Sequence, residues 1–161
     1  SLLLADQCAG VQLTVSDSRR SILHNLEERF KLYGHRLPTM VVADATDAYE
    51  VKEVTGGKQY DRILCDVPCT GSGTWARTPE QMYFFDPATV ADFAARQQAI
   101  LNNVSKHLAP GGKLFYITCS VFAQENENVA KSSQLKVTDS QLINGTAYRA
   151  DSMYIAVLQH G

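Results

Sequence analysis

The chain of 161 residues has little net charge of either sign: 15 Lys and Arg stand against 17 Asp and Glu, for a formal charge of −2. That balance excludes a strongly basic nucleic-acid platform. It leaves room for a local basic patch, or for a partner domain that supplies one. Long hydrophobic runs are lacking as well. The opening Ser1-Leu2-Leu3-Leu4-Ala5 has no basic flank and is too short for a signal peptide or a membrane span, so no membrane is expected. The four cysteines, Cys8, Cys65, Cys69 and Cys119, are not spaced as paired zinc knuckles. Without a secretory signal they read as reduced thiols of a cytoplasmic protein. His24, His35, His107 and His160 show neither metal nor triad spacing and read as surface residues; no metal is expected. Repeats, low-complexity tracts and linkers are absent. What remains is 45% hydrophobic and 20% charged, the composition of one soluble domain with a real core over residues 1–161.

Two stretches carry the most information. One is Ile63-Leu64-Cys65-Asp66 running into Val67-Pro68-Cys69-Thr70-Gly71-Ser72-Gly73. The other is Lys113-Leu114-Phe115-Tyr116-Ile117 running into Thr118-Cys119-Ser120. Each is an apolar run that ends in small polar residues and a cysteine. Such runs read as buried parallel strands whose carboxyl-end loops carry chemistry. Cys69 and Cys119 then share one sheet edge with Asp66. Two thiols and a carboxylate there point to covalent nucleophilic catalysis rather than to redox or metal work.

Around them, Val11–Val15 reads as a strand ending at Ser16-Asp17. A helix capped by Asp17 or Ser18 follows, with Ile22, Leu23, Leu26 and Phe30 at helical spacing and Gly34 as its stop. Met40–Ala43 is a short strand ending at Asp44. Asp86-Pro87 opens a long helix, Asp as cap and Pro at the first position. Its apolar face runs from Val90 through Phe93, Ile100, Leu101 and Val104 to Leu108, with Gln97 at the margin. Ala109-Pro110-Gly111-Gly112 turns the chain into the strand Lys113–Thr118; its glycines read as a turn, not a nucleotide loop. A further helix is expected through Asn126 to Lys131. Val137-Thr138 and Tyr154–Leu158 are late strands, with Asn144-Gly145 as a turn. The polar residues 132–149 resist assignment. Strands alternating with helices predict an α/β fold, a doubly wound and mostly parallel sheet.

At the amino end, Leu2–Gly10 could form a first strand and glycine loop, but Val11 begins the next strand at once. Neighbouring parallel strands need a crossover of roughly a dozen residues. Leu2–Gln7 is therefore expected to be a helix, and Cys8-Ala9-Gly10 a chance likeness to a cofactor loop.

Asp66-Val67-Pro68-Cys69-Thr70-Gly71-Ser72-Gly73, Thr118-Cys119-Ser120 and Gln124-Glu125-Asn126-Glu127 together resemble the motifs Asp-Ala-Pro-Cys-Ser-Gly-Thr-Gly, Thr-Cys-Ser and Glu-Glu-Asn-Glu of the Sun/Fmu (Nol/Nop/Sun) RNA 5-methylcytosine methyltransferases. The resemblance implies a Rossmann-like domain. It implies S-adenosyl-L-methionine as cofactor, and ribosomal or transfer RNA as the partner methylated on carbon 5 of a cytosine. The family's loop Cys-Ala-Ala-Pro-Gly-Gly-Lys-Thr has no counterpart here, so the chain reads as a fragment without the first strand. Such a fragment is expected to bind cofactor weakly. It should either recruit an intermolecular strand contact or pair the Val11–Val15 and Ile63–Asp66 strands directly.

By resemblance, Cys119 is the nucleophile. Cys69 assists release of the methylated base, and Asp66 hydrogen-bonds the cytosine. A thiolate suits this chemistry because it both attacks and leaves well. Asp17, Asp44 and Asp66 are the expected cofactor contacts, the first two through the ribose and the adenine. Pro68 and Arg77 are the expected substrate contacts: Pro68 stiffens its loop, Arg77 meets an RNA phosphate, and Trp75 offers a stacking surface. Plainer readings stand beside these: Asp17 as a helix cap, Asp44 as a loop carboxylate, Cys69 as a small loop filler, Arg77 as a solvated side chain. Cys65 reads as core. The competing function is a noncatalytic RNA-binding or assembly domain that has lost cofactor binding.

Overall fold

A computed structural model describes residues 1–161, apart from the side chain of Ala147. The chain forms two compact units, Ser1–Gly56 and Gly57–Gly161.

The first unit runs α1 (Leu2–Gln7), β1 (Thr14–Asp17), α2 (Arg20–Leu32), β2 (Thr39–Val42) and α3 (Ala48–Thr55). Leu2–Gln7 is helical, as the crossover argument requires, and β1 begins only at Thr14. β1 and β2 are parallel, with Thr14 opposite Thr39 and Asp17 opposite Val42. Both strands therefore end at one edge. α2 packs on them through Leu23 and Phe30, two helical turns apart. Neither Asp17 nor Ser18 caps α2; the cap position is Arg19, with no side-chain cap bond. The Asp17 carboxylate instead accepts the Arg19 backbone N–H at 2.8 Å, a local turn that competes with capping. α3 was not anticipated. Asp47 caps it, accepting the N–H groups of Tyr49 and Glu50, and Gly56 ends it at φ 57°. It buries only Val51 and Thr55, so its apolar period is too sparse to read.

The second unit runs β3 (Tyr60–Asp66), α4 (Glu80–Tyr83), α5 (Thr89–Ser105), β4 (Leu108–Thr118), α6 (Glu127–Lys131), β5 (Lys136–Ile143) and β6 (Met153–Gln159). The sheet order is β3-β4-β6-β5. β3 and β4 are parallel; β6 is antiparallel to β4 and to β5. β1 is bonded to β2 in one sheet, and β3 to β4 in the other.

β4 fulfils the buried-strand expectation: Leu114, Tyr116 and Thr118 are wholly buried. β3 does so only at Cys65. Leu64 is 50% exposed, because β3 has a strand neighbour on one side alone. α5 packs on β4, and α6 packs on α5, β5 and β6. α5 starts at Thr89, not at Pro87; the Asp86 carboxylate accepts the Ala88 N–H at 2.9 Å in the turn before it. It ends at Ser105, so Leu108 belongs to β4 and not to the helix face. Ala109–Gly112 lies inside β4, where the register shifts between Tyr60 and Arg62. The β5–β6 connection is longer than an Asn-Gly turn and holds a short 3-10 turn at Thr146–Tyr148. No described helix is long and apolar enough to cross a membrane.

Candidate active site

β3 and β4 run parallel with Asp66 opposite Ile117. Both release their loops at one edge, and that alone brings the two cysteine motifs together. The Cys69 and Cys119 sulfurs lie 3.3 Å apart, and both thiols are free and half-buried. The loops are stitched by backbone. Gly73 N–H donates to Cys119 O at 2.8 Å, and Ser152 N–H donates to Gly73 O at 2.9 Å. A Cβ on Gly73 would sit 2.2 Å from Ser152 O and 2.8 Å from Cys119 O. Backbone oxygens cannot yield as a side-chain tip does. Gly73→Ala is expected to cost at least about 3 kcal/mol, the upper end of ordinary overpacking; thermal melting within a degree or two of wild type would contradict this.

The two sulfurs do not share a proton evenly. Either sulfur can donate in this contact; with Cys69 as donor, the bond lowers the Cys119 thiol to about 7 against the opposing effects of burial, Asp66 and Asp151. The same bond, with burial, drives the Cys69 thiol upward. The contact thus favours Cys119 as the more acidic thiol of the pair. Cys65 is core, as expected, and burial pushes it up to about 12. Iodoacetamide, read peptide by peptide, is expected to label Cys119 with a midpoint near pH 7 while Cys65 and Cys69 stay silent at that pH. Preferential labelling of Cys69 would reverse the roles.

The remaining expected residues divide. Asp66 ends β3 beside the cysteines, its carboxyl raised by desolvation. The Pro68 carbonyl accepts from Gln97 Nε2 at 2.9 Å, so backbone bonding as well as its ring stiffens the loop. Arg77 is engaged: its Nε and Nη2 bond both oxygens of Asp151, at 3.2 and 2.9 Å. An exposed pair of this kind is worth at most about 1 kcal/mol. The Trp75 ring packs edge-on against Phe85 and approaches Phe122, so it braces the loop instead of standing free as a stacking face. Asp17 and Asp44 belong to the first unit, Asp17 as the last residue of β1 and Asp44 two residues past β2, at the shared edge. The Asp17 carboxylate takes the Arg19 guanidinium at 3.0 and 3.1 Å, which lowers its pKa. Asp44 accepts from Thr46 N–H and Oγ1 at 2.9 and 2.8 Å. A concavity of about 380 Å³ in that unit is lined by Cys8, Leu13, His35, Arg36 and Thr39. It lies at the amino ends of the strands, away from both aspartates. Among the described residues no three His, Cys, Asp or Glu side chains converge as a metal site.

Sequence reasoning passed over the polar layer beneath the cysteines. Gln97 is not at the margin of α5 but fully buried, bonded to Pro68 O, to Glu125 Oε1 and to the Tyr116 hydroxyl. Ser120 O takes Asn126 Nδ2 at 2.9 Å, and Asn126 Oδ1 takes the Thr118 hydroxyl at 2.6 Å. Ser72 Oγ lies 3.2 Å from Ser120 Oγ and accepts the Val121 N–H. Gln97 stands seven residues after Val90 and four before Leu101, in phase with the buried stripe. That phase was the available signal.

Residues 5–159 match the family of 16S rRNA methyltransferase RsmB/F. The ribosomal RNA small subunit methyltransferase B of Klebsiella pneumoniae (strain 342) is 37% identical over 87 residues, 54% of this chain and 20% of that protein. Its Erwinia tasmaniensis namesake is 46% identical over 71 residues, 44% of this chain and 17% of that protein. The chain thus spans about a fifth of the length of these relatives. The crystal structure of NSun6 from Pyrococcus horikoshii with SFG superposes with a TM-score of 0.76 at 24% identity, covering 89% of this chain and 40% of that one. That likeness carries the fold, a Rossmann-like methyltransferase architecture.

Proposed function

The chain belongs to the 16S rRNA methyltransferase RsmB/F family, and on that premise we propose that it transfers a methyl group from S-adenosyl-L-methionine to carbon 5 of a cytosine in small-subunit ribosomal RNA. The observation that carries this reading is the Cys69–Cys119 sulfur contact at 3.3 Å.

Asp17 and Asp44 fit the nucleoside half of the cofactor. Both are carboxylates at the carboxyl ends of neighbouring parallel strands, Asp17 as the last residue of β1 and Asp44 two residues past β2, where ribose hydroxyls are held in folds of this kind. The Arg19 partner of Asp17 is 68% exposed. Such a pair is weak enough to exchange for hydroxyl donors. The cofactor supplies an electrophilic sulfonium methyl. The protein's part is to make carbon 5 nucleophilic. The Cys119 thiolate adds to carbon 6, forming an S–C bond and shifting the ring's electron pair to carbon 5. Asp66, whose raised pKa lets it share a proton, hydrogen-bonds the cytosine ring nitrogen and amino group. After transfer the carbon 5 proton leaves to solvent, the double bond re-forms and the S–C bond breaks. The sulfur then regains its charge, and the Cys69 S–H stabilises it as a leaving group. A thiol with a lowered pKa leaves faster. The base must be flipped or single-stranded for a sulfur to reach its ring. An RNA substrate and four free thiols fit the cytoplasm.

Small-subunit rRNA incubated with labelled methyl donor tests this. The protein should be the chain alone and the chain joined to the segments its relatives carry. Label on carbon 5 of one cytosine, absent from the Cys119→Ala protein, is the expected result. RNA binding without incorporation by the longer protein would favour the noncatalytic reading.

A further inference from the structure

Glu125 is a wholly buried carboxylate that has no cation among its hydrogen-bond partners. Burying a carboxylate is costly unless donors surround it. Here each oxygen takes two. Oε1 accepts the Thr70 N–H at 2.9 Å and Gln97 Nε2 at 3.0 Å. Oε2 accepts the Thr70 hydroxyl at 2.6 Å and the Ser120 hydroxyl at 2.5 Å. The hydroxyl contacts have the lengths of charge-assisted O–H···O⁻ bonds. Packing alone does not call for this arrangement, since apolar groups of equal volume stabilise an interior as well or better. What it does create is a fixed relation between Thr70 and Ser120. Each is the immediate successor of a site cysteine: Thr70 of Cys69, Ser120 of Cys119.

On the reading of Cys119 and Cys69 as the reacting pair, we propose that Glu125 is the positioning residue that holds their two sulfurs in hydrogen-bond contact. It does so by gripping the residue after each. The grip acts between two points where backbone bonds already hold the Pro-Cys loop, Pro68 and Gly73; between them Gly71 sits at φ 70° and no regular element begins before Ser72. Gln97 fixes the carboxylate in turn. Its amide nitrogen bridges Glu125 to Pro68 O, and its amide oxygen takes the Tyr116 hydroxyl, which also donates to Glu125 O at 2.6 Å. The charged groups facing Cys119 make the sulfur contact decisive. Asp66 and Asp151 both disfavour its thiolate. Arg77, the cation of the rim, is committed to Asp151. Once Cys69 drifts away, the backbone N–H of Cys119 itself and Arg77 are left to offset burial and the two carboxylates at Cys119.

Glu125→Gln tests this without substrate or cofactor. The amide keeps the shape but loses the charge: its NH2 replaces the oxygen to which the Thr70 and Ser120 hydroxyls donate, so both hydroxyls must turn round and the two short charge-assisted contacts are lost. The Cys119 iodoacetamide profile is expected to rise by about one pH unit or more, toward the ordinary thiol value of about 8.5. Labelling at pH 7 should fall about tenfold, in a protein that still melts cooperatively. A lowered melting temperature with an unmoved profile would mean a structural role only and overturns the proposal. Should Glu125→Gln fail to fold, Thr70→Ser and Thr70→Val decide it. Serine keeps the hydroxyl and should keep the profile; valine removes it and should shift the profile upward. Equal profiles in the two overturn the proposal. These readouts are independent of methyl transfer. If Cys119→Ala proves active, the functional reading fails while the alkylation profiles still judge Glu125.

Discussion

Cys119→Ala is expected to abolish methyl transfer to RNA, by on the order of 10⁴-fold or more, the scale seen when a covalent nucleophile is removed. The size follows from the chemistry. Carbon 5 of cytosine is a poor nucleophile until a thiolate has added next to it, and no other group in the site can add. Cys69 holds its proton, and Cys65 is buried in the core with its thiol pushed up to about 12. Asp66 is an oxygen base beside the site, not a leaving thiolate. In the longer enzyme, joined to the segments its relatives carry, loss of the sulfur removes only the covalent step, so cofactor affinity should survive. Labelled methyl incorporation and calorimetric titration, run on the same protein, separate the two effects. Turnover near wild type in Cys119→Ala would remove Cys119 from the mechanism.

Cys69→Ala is expected to do the opposite of silencing the site: it should trap it. The Cys69 S–H stabilises charge on the Cys119 sulfur across 3.3 Å. That charge returns when the S–C bond breaks, so the mutant sulfur is a poorer leaving group. Adduct formation slows too, because fewer Cys119 thiols are ionised near neutral pH, yet each adduct that forms is released more slowly still. A covalent protein–RNA species should accumulate and appear as a shifted band on a denaturing gel with labelled RNA. The Cys69→Ala/Cys119→Ala double mutant should show none. Absence of the band while Cys119 is intact would discard the release role.

Motifs and their order along the chain were enough to expect an α/β fold, the strand ends that carry Asp17, Asp66 and Cys119, and the helical state of Leu2–Gln7. These depend on short-range facts: apolar runs, breakers, and the number of residues a crossover needs. Boundaries failed where a local rule lost to a longer-range one. Leu108 fits the α5 face by spacing but is taken by β4, because strand pairing with Tyr60 supplies partners for its backbone. Asp17 has the right residue type to cap α2 but spends its oxygens on Arg19. Arg77 and Trp75 read as open to RNA, and the fold engages both with Asp151 and Phe85.

The methyltransferase family was thus legible in the sequence alone, because its motifs are short runs of residue types at strand ends. Which thiol carries the charge was not. Cys69 and Cys119 are 50 residues apart, and a thiol's ionisation depends on what stands within a few ångströms of its sulfur. Only the parallel pairing of β3 with β4 makes the two loops neighbours. The buried carboxylate of Glu125, reached from beyond Cys119, ties Thr70 to Ser120, together with the Ser72 hydroxyl between them. Hydrogen bonds between distant residues leave no period or spacing in a sequence, so the polar layer that sets the site's electrostatics belongs to tertiary structure.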